Sequence, residues 1–266
     1  LLAEATLAYP PDGALVREAR EILLRQPAAE RAYAMISGGS AAAQLPDWVL
    51  TEQVGSTAVT VFERGSGLPL DTPIDGLLTK RGFYAVYLPG VASVIERIGR
   101  EAWVLGKGRE SLDVATRNTL RRRLLQIYYA NYVDAWRGML DDLQFKRPAT
   151  LNGMADLVNG LATPTSPLWV LLDLVAKQTT LTEPPEASAA GAADTAASVA
   201  DAASSGAQSR LGRALAGEFE GRVERPGQPV EEAFDDLRDF MDGSGPDAVR
   251  ATFDRLFKRL EQAAAR

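Results

Sequence analysis

Apolar residues along this chain recur mostly at intervals of three and four, the spacing of one face of an α-helix. Leu15, Val16, Ala19, Ile22 and Leu23 predict a first helix over Asp12 to Leu24, with Asp12 as its N-cap. A second is expected after Pro27, through Arg31, Tyr33 and Ile36, and ends at Gly38-Gly39. The brief β-branched segment Ala58 to Phe62 reads instead as a short strand or extended piece. Gly65, Gly67, Pro69, Pro73 and Gly76 then punctuate a long ordered loop that reaches Leu77.

Thr79 is placed to cap a helix carrying Phe83, Tyr84, Tyr87 and Leu88, which Pro89 and Gly90 should kink or divide before Val94, Ile98, Ala102 and Leu105 continue it. The longest expected element runs from about Asp113 to Phe145. Leu120, Leu124, Ile127, Tyr128, Tyr132, Trp136, Met139 and Leu143 form one stripe, with Leu125, Tyr129, Val133 and Leu140 beside it. So broad an apolar surface predicts a central helix packed on two sides. A shorter helix is expected over Asn152 to Leu161. Ser166 and Pro167 then mark the cap and first turn of a helix burying Leu171, Leu172 and Val175.

Composition changes after Leu181. Eleven of the 21 residues from Ala187 to Ala207 are alanine, and almost all the others are small or polar, so the stretch has little apolar surface with which to offset its ordering entropy. A linker or exposed loop is expected, with a loosely attached helix as the alternative. Helical spacing resumes at Leu211, Leu215 and Phe219, then Phe234, Leu237 and Phe240, then Val249, Phe253, Leu256, Phe257 and Leu260. The expected fold is mainly α, an irregular multi-helix bundle with at most a short strand pair and one long ordered loop. Residues 1–182 form its helical body, 183–208 the Ala-rich linker, and 209–266 the C-terminal amphipathic helices packed on or beside the body.

Composition narrows the chemistry more than the fold. Among 266 residues there is no histidine and no cysteine, which excludes disulfides, thiolate nucleophiles, Ser–His pairs and zinc sites built on nitrogen and sulfur. The net charge of −6 argues against a dedicated nucleic-acid binder. Trp169 to Ala176, the longest nearly apolar run, is interrupted by Asp173 and falls far short of the roughly 20 residues that span a bilayer.

Candidate chemistry is sparse. Gly65-Ser66-Gly67 is followed by Leu68-Pro69, where a phosphate-binding loop needs Lys and Ser or Thr at a helix start. The acid pairs Asp141-Asp142 and Asp235-Asp236 are adjacent on helices and do not face one site, so solvated faces are the ordinary reading. Arg121 and Arg122 lie in a run with Arg123 that fans around a helix, which suits salt bridges or an inter-subunit contact to an acidic surface. Arg64, Lys80 and Arg81 flank the glycine- and proline-rich loop and are the other candidate interaction residues. Tyr128, Tyr132 and Trp136 are expected in the structural core, since aromatic residues at helical spacing more often pack than line a groove. No catalytic, cofactor-binding or metal-binding residue is assigned.

Six blocks in order carry a family resemblance: PAAERAY (Pro27 to Tyr33), VGSTAVTVFERGSGLPL (Val54 to Leu70), GLLTKRGFY (Gly76 to Tyr84), EAWVLG (Glu101 to Gly106), IYYANYVDAWRGML (Ile127 to Leu140) and TPTSPL (Thr163 to Leu168). Together they resemble the periplasmic region of the IcmF/TssM family, the inner-membrane scaffold of type VI secretion systems. VEEAFDDLRDF (Val230 to Phe240) is similar to the segment that precedes that family's C-terminal β-domain.

The resemblance implies a piece of a larger protein, without the family's transmembrane helices, nucleotide-binding-like domain or lipoprotein-binding β-domain. It implies a non-enzymatic, periplasm-spanning scaffold that takes part in the TssJ–TssL–TssM complex. The implied partners are other copies of the protein, the TssJ lipoprotein and TssL. No cofactor is implied. A contrasting expectation is a carboxylate-dependent periplasmic hydrolase of peptidoglycan, which needs two carboxylates facing one cleft. A peptide-binding groove is a third, and needs an exposed apolar channel between helices.

Overall fold

A computed structural model describes residues 27–104, 113–185 and 225–264. The helix expected over Asp12 to Leu24, the Ala-rich stretch and the Leu211 to Phe219 segment lie outside the described residues. The chain is mainly α, with one two-stranded antiparallel sheet among the described residues.

Helix α1 (Ala28–Ser37) buries Ala29, Ala32 and Ile36 and is followed by the short turns α2 (Ser40–Ala43) and α3 (Leu50–Val54). Ala58 to Val61 is not extended: it forms one helical turn, α4 (Ala58–Val61), and the strand β1 starts only at Phe62 (Phe62–Arg64). The reason is tertiary. Ala58 and Val61, three apart, both face the core, and that burial outweighs the strand preference of Val59, Thr60 and Val61.

The loop after β1 closes in a 3₁₀ turn at Gly76–Leu78, whose start is capped by Asp75 accepting from the Leu77 N–H. Thr79 then caps α5 (Lys80–Gly82), its hydroxyl accepting from the Gly82 N–H at 3.0 Å. Pro89 does not divide the helix that follows. The chain runs through a π-helical turn at Phe83–Tyr87 directly into α6 (Leu88–Val104), with the Leu88 N–H bonding the Phe83 carbonyl. Pro89 has no N–H, and the wider turn just before it lets the helix continue without a break.

The central helix α7 (Val114–Asp142) is capped by Asp113, which accepts from the Thr116 N–H at 2.7 Å. It stops three residues earlier than expected. Leu143–Phe145 forms β2, paired with β1 so that Phe62 opposes Phe145, and these two rings stack 5.8 Å apart. Helix α8 (Leu151–Ala162) is capped by Thr150. Helix α9 (Pro167–Thr179) begins after Ser166, whose hydroxyl is buried and makes no capping bond. Leu171 and Val175 are buried in α9, and Leu172 is only half-buried.

After Gly227 come α10 (Gln228–Ala233), α11 (Asp235–Asp242) and α12 (Gly245–Ala264). Helix α7 lies against α1, α6, α10 and the Gly76–Leu78 turn, while α12 packs along α8 and α11 packs on α9. Val230 and Phe234 join the same hydrophobic core as α1, α6 and α7.

Candidate interaction surfaces

Tyr128, Tyr132 and Trp136 are spaced by four, so one face of α7 presents three polar-tipped aromatic side chains in line. Each reaches a main-chain carbonyl of another segment. Tyr128 donates to Leu77 O, Trp136 Nε1 to Leu78 O and Tyr132 to Gln178 O, all at 2.8 Å. Gln178 in turn accepts from the Lys80 N–H at 2.9 Å, so the 3₁₀ turn, α5 and the end of α9 are clasped to α7.

The three side chains are completely buried. Tyr87 and Tyr128 stack at 3.9 Å, and Trp48 meets Trp136 edge-on at 4.9 Å. Burial pushes the Tyr87, Tyr128 and Tyr132 hydroxyls well up from the usual phenol value, which holds them as donors. Gly82 is required where α5 crosses the turn, because a Cβ there would collide with the Gly76 and Leu77 carbonyls. This face is an internal clasp.

Arg64 is not available for outside contacts. Its side chain is 8 % exposed, lies 3.5 Å from the Asp142 carboxylate and donates to Thr72 O at 3.2 Å. Ser66 donates to the same carboxylate through both N–H and hydroxyl at 2.7 Å. These two bonds, followed by Arg64, hold the Asp142 carboxyl below the usual carboxylate range. The end of α7 thereby fastens the loop that leaves β1. Lys80 is half-buried at the start of α5, and Arg81 beside it is exposed.

Arg121 and Arg122 reach a different place. With Leu88, Val91, Leu125, Gln126, Tyr129, Pro226, Pro229 and Arg225, they line a groove of about 350 Å³ between α6, α7 and the start of α10. The groove wall is set from α7, since the Tyr129 hydroxyl accepts from the Gly227 N–H at 2.8 Å. Gly227 has φ 93°, and Leu181 occupies the space a Cβ would take, so only glycine fits this turn. Sequence reasoning missed Arg225 as a member of this surface, because nothing local connects it with α7.

The acid pairs assemble no two-carboxylate cleft from their own members. Asp142 is held by Ser66 and Arg64, and Asp235 by Arg238. Among the described residues, no group of three or more carboxylates is arranged to hold a metal ion.

The fold and these surfaces define a mainly helical module whose central aromatic face clasps its own segments and which carries an arginine-lined groove between α6, α7 and the start of α10. Residues 1–180 match the family model described as IcmF-related, intracellular multiplication and human macrophage-killing, and the chain belongs to that family. It is 31 % identical over 234 residues to the type VI secretion system component TssM1 of Pseudomonas aeruginosa, an alignment covering 86 % of this chain and 21 % of that protein. The chain therefore spans about a fifth of that relative's length. Its fold is similar to a chain of a type VI secretion system membrane core complex, with a TM-score of 0.54 and 18 % identity over 90 % of this chain and 38 % of that one.

Proposed function

We propose that this chain is a non-enzymatic structural module of a type VI secretion membrane complex, a periplasm-spanning scaffold segment that contributes to assembly of TssJ, TssL and TssM. The observation that carries the reading is the 31 % identity to TssM1 over 86 % of the chain. The physical character of the molecule supports it. Tyr128, Tyr132, Trp136 and the Asp142 carboxylate on α7 are spent on fixing segments to one another. Such a module transmits shape and contact.

The partners on this reading are other copies of the protein, TssJ and TssL, and the location is the periplasmic part of an inner-membrane protein. Among the described residues no helix is long and apolar enough to cross a membrane. Residues 1–182 and 209–266 act as body and packed C-terminal helices, joined by the 183–208 linker.

Deleting this segment from the full-length protein and purifying the membrane complex tests the reading. Assemblies containing several copies with TssJ and TssL are expected from the intact protein and lost from the deletion. Undiminished recovery overturns the scaffold role. In parallel, the purified chain should release no soluble fragments from peptidoglycan, and release abolished by replacing Asp141 or Asp235 would establish a hydrolase instead.

A further inference from the structure

We propose that the groove between α6, α7 and the start of α10 receives the acidic helix α11 of a second copy of this chain. The inference rests on the scaffold reading above and names the surfaces through which copies meet. Arg121, Arg122 and Arg225 rim a floor made by Leu88, Val91, Leu125 and Tyr129. On a protein of net charge −6, the exposed guanidinium groups of Arg122 and Arg225 stand together at the edge of this groove. Their apolar surroundings lower the effective dielectric, so an incoming carboxylate is attracted more strongly than at an open surface. Guanidinium groups also present paired donors that match a carboxylate in geometry. The groove therefore selects an anionic, compact segment.

Such a segment is exposed on the same chain. Helix α11 carries Asp235, Asp236, Asp239 and Asp242 within its eight residues, and all four are exposed. Arg238 is the single cation in the helix and is engaged by Glu231 and Asp235. Asp236, Asp239 and Asp242 make no ion pair among the described residues. The apolar side of α11 is turned inward, with Phe240 stacked on Trp169 at 6.4 Å. What α11 offers to a neighbour is thus a row of carboxylates, with Asp239 and Asp242 three apart on one face.

Groove and acidic helix are different patches of one molecule, the first on α6 and α7 and the second on α9. A contact between them is heterologous: each copy uses its groove for one neighbour and its helix for the next. Repetition closes a ring or extends a filament.

Charge reversal tests this on the full 266-residue chain by sedimentation velocity over a range of protein and salt concentrations. Self-association that weakens with salt is expected. Arg122→Glu with Arg225→Glu, and separately Asp239→Arg with Asp242→Arg, should each weaken it roughly hundredfold with denaturant melts unchanged. Mixing the two reversed proteins should restore association, because groove and helix then have opposite charges across both kinds of contact. Self-association indifferent to both reversals overturns the groove assignment and leaves the scaffold reading standing. If the chain stays monomeric throughout, the groove assignment falls, and recovery of TssJ and TssL with the full-length protein still decides the scaffold role separately. A groove reversal that destabilises the monomer without altering association assigns the groove to a segment of its own chain and also overturns the proposal.

Discussion

Over its 29 residues α7 buries Leu124, Tyr128, Tyr132 and Trp136 completely, whereas α12, with 20 residues, leaves Val249, Phe253, Phe257 and Leu260 half-covered and Leu256 43 % exposed. Helix α7 is covered by α1, α6 and α10 on different sides, and the polar tips of Tyr128, Tyr132 and Trp136 each find a carbonyl. Helix α12 lies mainly along α8 and is supplemented by surface interactions, Arg250 with Asp247 and over the Trp169 ring at 5.5 Å. One helix is an axle that many elements share, and the other is an attachment laid mainly along one neighbour. Burial on several sides ties α7 to global unfolding, while one-sided burial leaves α12 to local opening.

Alkaline pH should strain this contrast most. Burial raises the folded-state values of Tyr87, Tyr128 and Tyr132 above the ordinary 10.0. Their contribution is fully present below the unfolded-state value and is lost as pH rises beyond it, because the unfolded chain then ionises while the folded one cannot. Each such phenol removes about 1 kcal/mol over the first pH unit above that value and about 1.4 kcal/mol over each unit beyond, so the three together remove about 3 kcal/mol and then about 4 kcal/mol per unit. Denaturant melts on either side of the phenol value check this, and unchanged stability would contradict the buried clasp.

Next in size is Trp136→Ala, expected to cost about 3 to 5 kcal/mol through lost transfer energy and a cavity. A loss below about 1 kcal/mol in denaturant melts would reject the core role. Trp136→Phe keeps most of the volume but leaves Leu78 O without its donor, and should cost about 1 to 3 kcal/mol. Phe253→Ala on the half-buried face of α12 should cost less, about 1 to 2 kcal/mol. It should also speed amide exchange in α8 and α12 before α7, and simultaneous exchange of all three would erase the distinction. Smallest is the exposed α9 pair Asp173–Lys177, where Asp173→Asn should change stability by no more than about 0.5 kcal/mol.

Local signals were legible at Thr79, whose side chain caps a helix because it reaches the Gly82 N–H three residues on. Ser166 stands at a helix start as its sequence context implies, but its hydroxyl is buried and makes no capping bond. The aromatic stripe of α7 followed from spacing alone, and its burial agrees with that spacing. Long-range partners altered the remainder. Leu143–Phe145 leaves the helix because β1 pairs with it, and Arg64 turns inward because Asp142, far along the chain, sits beside it. The groove was invisible for the same reason: Arg225 arrives next to Arg121 and Arg122 through the Tyr129–Gly227 bond.

By itself the sequence determined a mainly helical chain, the cap at Thr79, the breadth of the central apolar face and the absence of histidine and cysteine chemistry. Spacing, capping and composition act over a few residues and need no knowledge of the rest of the chain. Tertiary structure alone decided which carbonyls the buried aromatics would bind, which arginine would be consumed internally and which would line an open groove. Those outcomes depend on segments distant in sequence competing for the same buried donors, acceptors and space, where an unmatched polar group is costly and a matched one fixes the packing.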